Sequence, residues 1–517
     1  MPNLRRALFT ARPRAAYRPR SLLGTMYSMR LWTWTVALVA AALLSGCATT
    51  PGAGAGAAKG KDASASGAAA KPKPLAPGLD PMVHADAFPS TYRPMPSRPT
   101  AIVGAQVFTG TGQLIDGGVV LVRDGKIEAV GPGLAVPAGY EVVDGKGKWV
   151  TPGLIDAHSH LGVYASPSVP ANSDGNELTN PVTAEVWAEH SVWPQDPGFN
   201  TARIGGVTSL LILPGSGNLI GGRGVVLRNV PARTVQDMKF PNAPYALKMA
   251  CGENPKRVYG SKGRAPSTRM GNVAGYRAAW INAADYARKW DDYRAKAAKG
   301  EKADPPKRDL GLDTLAAVLR GEIQVENHCY RADEMAQMID ISKEFGYHIA
   351  AFHHAVEAYK IADLLAANDI CVATWANWWG GKMEMLDGIE ANAALVNAAK
   401  GGCAIIKSDD PDLIQRLNQE AAEALAAGRA AGLTITEADA IKWITANPAK
   451  ALGIAKQVGS LEPGKRADIV IWDHDPFSIY ARTERVYLDG AIAYDRHDRR
   501  YQPLSDFDLG QAGEGSR

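Results

Sequence analysis

Two histidines one residue apart, His158 and His160, close an apolar run that begins at Leu154-Ile155. If that run is a strand, residues i and i+2 point to the same side, and both imidazoles stand together at its C-terminal end. Neutral imidazole is a common ligand for zinc and similar ions. The Pro152-Gly153 turn that feeds the run sets this pair apart from two unrelated surface histidines. Other chemically capable residues close later apolar runs: His328, the pair His353-His354, and Asp409. Imidazoles joined by a carboxylate suit a divalent cation, and the carboxylate can also move a proton.

The elements that must position these residues can be read from periodicity. Eight apolar runs are found at 154–160, 207–213, 225–230, 246–251, 323–329, 348–354, 370–376 and 403–409. Amphipathic, Ala-rich segments at 332–345, 356–367, 389–399 and 412–427 fall between or after them. This alternation predicts α/β architecture, a (β/α)8 TIM barrel over 151–455, with an open doubly wound sheet as the alternative. In a barrel the chemistry sits at the C-terminal ends of the strands. Strand one then supplies His158 and His160, strand five His328, strand six one of His353 and His354, and strand eight Asp409. The two strand-six histidines point to opposite faces, so only one is expected inside. His348, at the other end of that strand, is expected to be structural. Short strands separated by Gly and Asp turns at 98–150 and again at 456–500 predict a small discontinuous β-sandwich built from both ends of the chain. The basic insertion at 252–311, helical over 272–298, is expected over the barrel mouth.

The run Thr151-Pro152-Gly153-Leu154-Ile155-Asp156-Ala157-His158-Ser159-His160 resembles the first-strand signature of the amidohydrolase superfamily, metal-dependent hydrolases of the urease and dihydroorotase type. Residues Gly459 to Ile471 resemble that family's return into its small β-domain. Together the resemblance spans roughly residues 98–495 and is similar in kind to imidazolonepropionase-like secreted members. It implies His158, His160, His328, His354 and Asp409 as ligands of one or two divalent ions, zinc above all. His354 is preferred to His353 because it sits three residues before Glu357, and Asp409 to Asp410 because it matches the family's Ser-Asp position. It also implies a bridging ligand from strand four, either a carboxylated Lys248 or Glu253, with Glu253 favoured because it needs no modification. The implied reaction is hydrolysis of a C–N bond in an amide, cyclic amide or dipeptide-like compound by a metal-activated hydroxide, with Asp409 as general base and then general acid. A deaminase using the same centre and a binding lipoprotein that has lost catalysis are the rival readings.

Pocket residues are sought beside the ligands. Tyr330 and Arg331, next to His328, are placed to hold a substrate carbonyl or carboxylate. Trp375, Asn377, Trp378 and Trp379 are placed to wall an apolar pocket. Arg223, in a Gly-rich turn that lacks the Gly-Lys-Ser/Thr of a phosphate loop, is expected at the surface, with a reach to substrate as the alternative.

The chain has 517 residues with 21% charged content and a net charge of +4. Residues 1–46 hold seven arginines and no acidic residue, so the remainder is slightly acidic and nothing points to nucleic acid. An apolar run of about 14 residues ending at Leu44 is short for a bilayer span and reads as a signal-peptide core. The following Ser45-Gly46-Cys47 resembles a bacterial lipoprotein box, which implies lipidation of Cys47. The expectation is a signal segment at 1–47, a flexible Ala/Gly/Pro/Lys tether at 48–97 and a tail at 501–517. The enzyme would be anchored at the outer membrane facing the periplasm, acting on a small molecule, with a homo-oligomer left open. The other four cysteines, Cys251, Cys329, Cys371 and Cys403, show no metal-type spacing and are expected as buried free thiols.

Overall fold

A computed structural model describes residues 75–503 except 77, 82–85, 167 and 379. Cys47, the signal segment, Trp379 and the tail beyond 503 lie outside the described residues. Among the described residues no helix is long and apolar enough to cross a membrane.

The first strands of the outer sheet are β1 (Thr100–Phe108), β2 (Leu114–Arg123), β3 (Lys126–Pro132), β4 (Glu141–Asp144) and β5 (Trp149–Pro152). The barrel strands follow: β6 (Leu154–Ser159), β7 (Val207–Ile212), β8 (Ile220–Arg228), β9 (Tyr245–Ala250), β10 (Ile323–Cys329), β11 (Ile349–His354), β12 (Cys371–Thr374) and β13 (Ala404–Ile406). β14 (Ile469–Trp472), β15 (Thr483–Leu488) and β16 (Ala491–Asp495) return to the first sheet. The barrel strands are buried on both faces, which is why they read as continuous apolar runs rather than as alternation.

The central sheet runs β6 through β13 in sequence order and is nearly barrel-shaped. It is not all-parallel. β8 pairs antiparallel with both β7 and β9. Only residues 213–219 separate β7 from β8, too few for the crossover that a parallel neighbour requires. Between β13 and β6 the circle is drawn together by a side chain: Asp156 accepts from the Ser408 N–H at 3.1 Å and from the Ser408 hydroxyl, and the Asp409 N–H donates to the His158 carbonyl at 2.9 Å.

The strands from the two chain ends join at β5 and β14, giving one hydrogen-bonded sheet, β16-β15-β14-β5-β1-β2-β3, with β4 also on β1. Within this sheet β5 pairs along both β1 and β14, so the two ends of the chain share one hydrogen-bonded sheet where a β-sandwich was expected.

The helices are α1 (Pro197–Ile204), α2 (Val235–Met238), α3 (Glu253–Gly260), α4 (Arg269–Ala298), α5 (Leu310–Leu319) and α6 (Ala332–Phe345), followed by shorter ones and by Leu417–Ala430 after β13. The insertion is not a lid along its whole length. The start of α4 is tied to the end of β9, through Asn272 to the Gly252 carbonyl at 3.0 Å and Tyr276 to the Ala250 carbonyl. Further along α4, Tyr286 and Trp290 pack on Ala316 of α5, on the flank of the barrel. Part of the stretch expected as tether is packed. Asp86 pairs with Lys239 at 2.9 Å, Ser90 donates to the Lys239 carbonyl at 2.6 Å and the Thr91 N–H donates to the Gln236 carbonyl at 3.0 Å, so residues from Asp86 onward belong to the packed body.

The four cysteines are not free thiols. Cys251 is bonded to Cys329 (Cα–Cα 5.2 Å) and Cys371 to Cys403 (4.6 Å). Each pair occupies matching register positions on neighbouring parallel strands, one step beyond the Ala250–His328 pair and one step before the Val372–Ala404 pair. Sequence spacing cannot show such adjacency.

Arg228 of β8 locks the barrel to the outer sheet. Its buried guanidinium meets Asp468, with the Nη2–Oδ1 bond at 2.7 Å, and Asp489 at 3.1 Å. Arg228→Ala is expected to cost about 3–5 kcal/mol, because buried Asp468 loses its cation and Asp489 is left with Arg466 and Tyr92 alone. Chemical denaturation of both proteins measures it, and a loss below about 1 kcal/mol would show that the cluster is dispensable.

Candidate metal centre

β6 delivers His158 and His160 side by side, and the turn after β13 delivers Asp409 between them. Asp409 Oδ1 lies 3.3 Å from His158 Nε2 and 3.2 Å from His160 Nε2. The ligand atoms of these three residues lie within 4.8 Å of one another. Each histidine is held from behind, so that Nε2 faces the centre. His160 Nδ1 contacts the Leu213 carbonyl at 2.8 Å. His158 Nδ1 contacts His353 Nδ1 at 2.9 Å, and His353 Nε2 contacts Glu326 Oε2 at 2.8 Å.

Both strand-six histidines are therefore inside. His353 follows the inward face of β11 and supports His158. His354 was expected to exclude it by alternation, but β11 ends in a left-handed backbone, φ 69° at His354 and 39° at Ala355, which swings the His354 ring over the mouth. It reaches His328 (ring centroids 4.1 Å) and lies 3.7 Å from Asp409 Oδ2. Asp409 is also left-handed, at φ 61°. Such conformations persist where the surroundings over-determine them, often at functional sites.

His328 is buried, and neither ring nitrogen has a hydrogen-bond partner. An unsatisfied buried imidazole is costly, and a cation is the partner that this donor set fits. The protonation states agree. Burial drives His158, His328 and His354 well below the ordinary imidazole value, helped by Lys248 and Lys407. Burial pushes Asp409 up, but Lys407 and His160 outweigh it and hold its carboxyl well below the usual range. Neutral imidazoles around an ionised carboxylate are what metal binding requires.

The strand-four alternatives separate in space. Lys248 is buried on the inner face of β9, its Nζ 3.3 Å from His158 Nε2. Burial takes its amine down to about 7. Glu253, the residue favoured from sequence, is not brought to the centre. Gly252, at φ 80°, turns the chain outward into α3, where Glu253 faces Lys382 at 3.6 Å. Lys407 was not anticipated. Its Nζ lies 3.2 Å from Asp409 Oδ2 and 3.0 Å from His354 Nδ1, above the Trp375 ring. The available signal was position: Lys407 stands two residues before Asp409, just past the end of β13.

Tyr330 stacks on His354 at 5.0 Å, and Trp375 lies 4.6 Å from the same ring with Trp378 stacked behind it. These rings wall one side of the centre. Arg331 is not part of it. It precedes α6 and pairs with Asp333 on the exposed side at 3.0 Å. Asn377 likewise turns away, to Glu423. Asp410 turns outward, accepting the N–H groups of Asp412 and Leu413. Arg223 is buried in β8, not on the surface.

Glu384, on the loop after β12, lies near this mouth with Oε2 buried and unpartnered. Burial, with Glu334 and Glu253 nearby, raises its carboxyl to about 7. The folded state then holds this proton more tightly than the unfolded chain. The stabilisation is present below the ordinary carboxyl range and is lost as pH rises through about 7. The thermal midpoint should therefore fall between about pH 5 and 8, and Glu384→Gln should flatten that fall. Identical pH profiles for the two proteins would contradict it.

The amidohydrolase family profile matches residues 149–502, a span that holds every ligand candidate above. The chain belongs to the amidohydrolase family. The crystal structure of an amidohydrolase from Thermotoga maritima MSB8 is similar to this amidohydrolase, with 37% sequence identity, a TM-score of 0.70 and coverage of 77% of this chain and 100% of that one. Amidohydrolase tasK of Hapsidospora irregularis is 33% identical over 408 residues, which is 74% of this chain but 40% of that protein, so this chain spans less than half of its relative's length. A 5-methylthioadenosine/S-adenosylhomocysteine deaminase of Moorella thermoacetica is 24% identical over 384 residues, 70% of this chain and 83% of that one.

Proposed function

We propose that this amidohydrolase hydrolyses a C–N bond in an amide, cyclic amide or dipeptide-like substrate at a divalent-metal centre, with zinc as the ion. The observation that carries the reading is the convergence of His158, His160 and Asp409 beside a buried, unpartnered His328. Those four residues, His354 and Lys248 would hold the metal. A divalent cation in such a site polarises a carbonyl oxygen and makes water more acidic. Lys248 is the strand-four candidate, because its amine lies among the ligands and, when neutral, can add carbon dioxide to become a carboxylate donor. Asp409, ionised and reachable from the mouth, takes the proton of the attacking water and delivers it to the leaving nitrogen. Lys407 keeps that carboxylate charged and oriented. Tyr330 and Trp375 supply an apolar wall for the substrate. Deamination would use the same groups with ammonia leaving, and one relative is a deaminase. Screening N-acyl amino acids, dipeptides, cyclic imides and aminopurine nucleosides with metal-loaded protein separates the two. Turnover of the nucleosides alone would replace the amidase reading.

For location we propose an exported, lipid-anchored protein at the outer membrane. The lipoprotein-box resemblance at Cys47 supports this, as do two disulfides, which persist in oxidising compartments. Cys47→Ala is expected to move the protein from the membrane to the soluble fraction. Unchanged membrane association with normal processing would contradict it.

A further inference from the structure

A second cavity, of about 830 Å3, lies against the outer side of the barrel wall. It is bounded by Trp187, by Tyr245 at the start of β9, and by α4 and α5, and none of the proposed metal ligands lines it. Arg223 of β8 stands in its wall. It is register partner to Leu247, one residue from Lys248, but it belongs to this outer cavity.

The Arg223 side chain is built in rather than draped on the surface. The residue is only 6% exposed. Its Nε donates to Thr314 Oγ1 at 2.8 Å. Its guanidinium carbon lies 4.1 Å from the centre of the Trp187 ring and 5.5 Å from that of Tyr245. Among the described residues no carboxylate pairs with it, and no acceptor takes its two terminal nitrogens. The other charges along the cavity have partners: Asp86 with Lys239 at 2.9 Å, Asp313 with Arg308 at 2.7 Å, and Glu322 with Arg320 at 2.7 Å. Glu185 is exposed at the rim.

A desolvated guanidinium with a free two-nitrogen edge matches a planar carboxylate, which it binds through two parallel hydrogen bonds. A phosphate dianion would call for a second unpaired cation; Arg308 and Arg320 are already engaged, and Arg294, also in the lining, faces Asp80 and Asp291 at 3.5 and 3.6 Å. The lining also holds Phe88, Trp187, Tyr245 and Trp290, so the wall around Arg223 is largely aromatic and suits an apolar, planar body. We infer that this cavity is a binding site for a small aromatic carboxylate, with the carboxylate on Arg223 and the ring among the aromatic side chains of the lining. The site is separate from the metal centre and does not depend on the reaction proposed there.

The test uses the full chain and phenylacetate as probe, followed by calorimetry. Phenylacetate should bind at one site, and its neutral isostere phenylacetamide about tenfold more weakly or worse. Arg223→Gln should weaken phenylacetate by about tenfold or more, whereas Asp409→Asn should leave its affinity unchanged. Because Arg223 is buried, a second measurement avoids any variant: para-azidophenylacetate photolysed on the wild-type protein should label peptides containing Trp187 or Trp290. Absence of binding, preference for inorganic phosphate, loss of binding in Asp409→Asn, or label confined to metal-centre peptides would each overturn the proposal.

Discussion

Asp409→Asn is expected to cut hydrolysis by ~10²–10⁴-fold while the protein keeps much of its metal, since that range is the usual worth of a positioned general acid–base group. The two consequences part because Asp409 holds two jobs. As a ligand it is one of several, beside His158, His160 and His328. As a base it has no substitute, for burial makes His158, His328 and His354 weak bases and Lys407 is a cation partner of Asp409 itself. Asparagine is nearly isosteric and still offers an oxygen to Lys407, so the fold should survive. His158→Ala should behave in the opposite order. It removes a ligand and leaves His353 Nδ1 without its contact, so metal is lost first and activity follows. Metal content by elemental analysis, read beside hydrolysis rate, distinguishes the two patterns. Near-normal turnover by Asp409→Asn would remove the aspartate from the mechanism.

Lys248→Ala is expected to lower bound metal sharply, and Glu253→Ala to leave it near the wild-type value. The reason is distance. Lys248 touches His158 from inside the barrel, whereas Glu253 faces Lys382 at the start of α3. If Lys248 acts as a carbamate, bicarbonate should raise metal uptake by the wild type and have no effect on Lys248→Ala. Metal loss in Glu253→Ala with retention in Lys248→Ala would reverse the assignment.

The parts legible in sequence were those encoded locally. The His158-Ser159-His160 spacing, the strand-end position of His328, the place of Asp409 shortly after the last barrel strand, and helix α6 all follow from short-range period and turn chemistry. Features set by long-range adjacency or by one backbone angle were not legible. The direction of β8 depends on how the 213–219 connection folds. The inclusion of both His353 and His354 depends on a left-handed strand end that alternation does not foresee. The displacement of Glu253 comes from the turn at Gly252. The Cys251–Cys329 bond and the burial of Arg223 arise only when distant segments meet.

The most direct test of the metal-centred account is the hydrolysis rate of the wild-type protein against N-acyl amino acids, dipeptides and cyclic imides, measured before chelation, after chelation, and after zinc is restored, with metal content read each time. The account predicts that activity and metal disappear together and return together. Full hydrolysis by protein shown to be free of metal would contradict it.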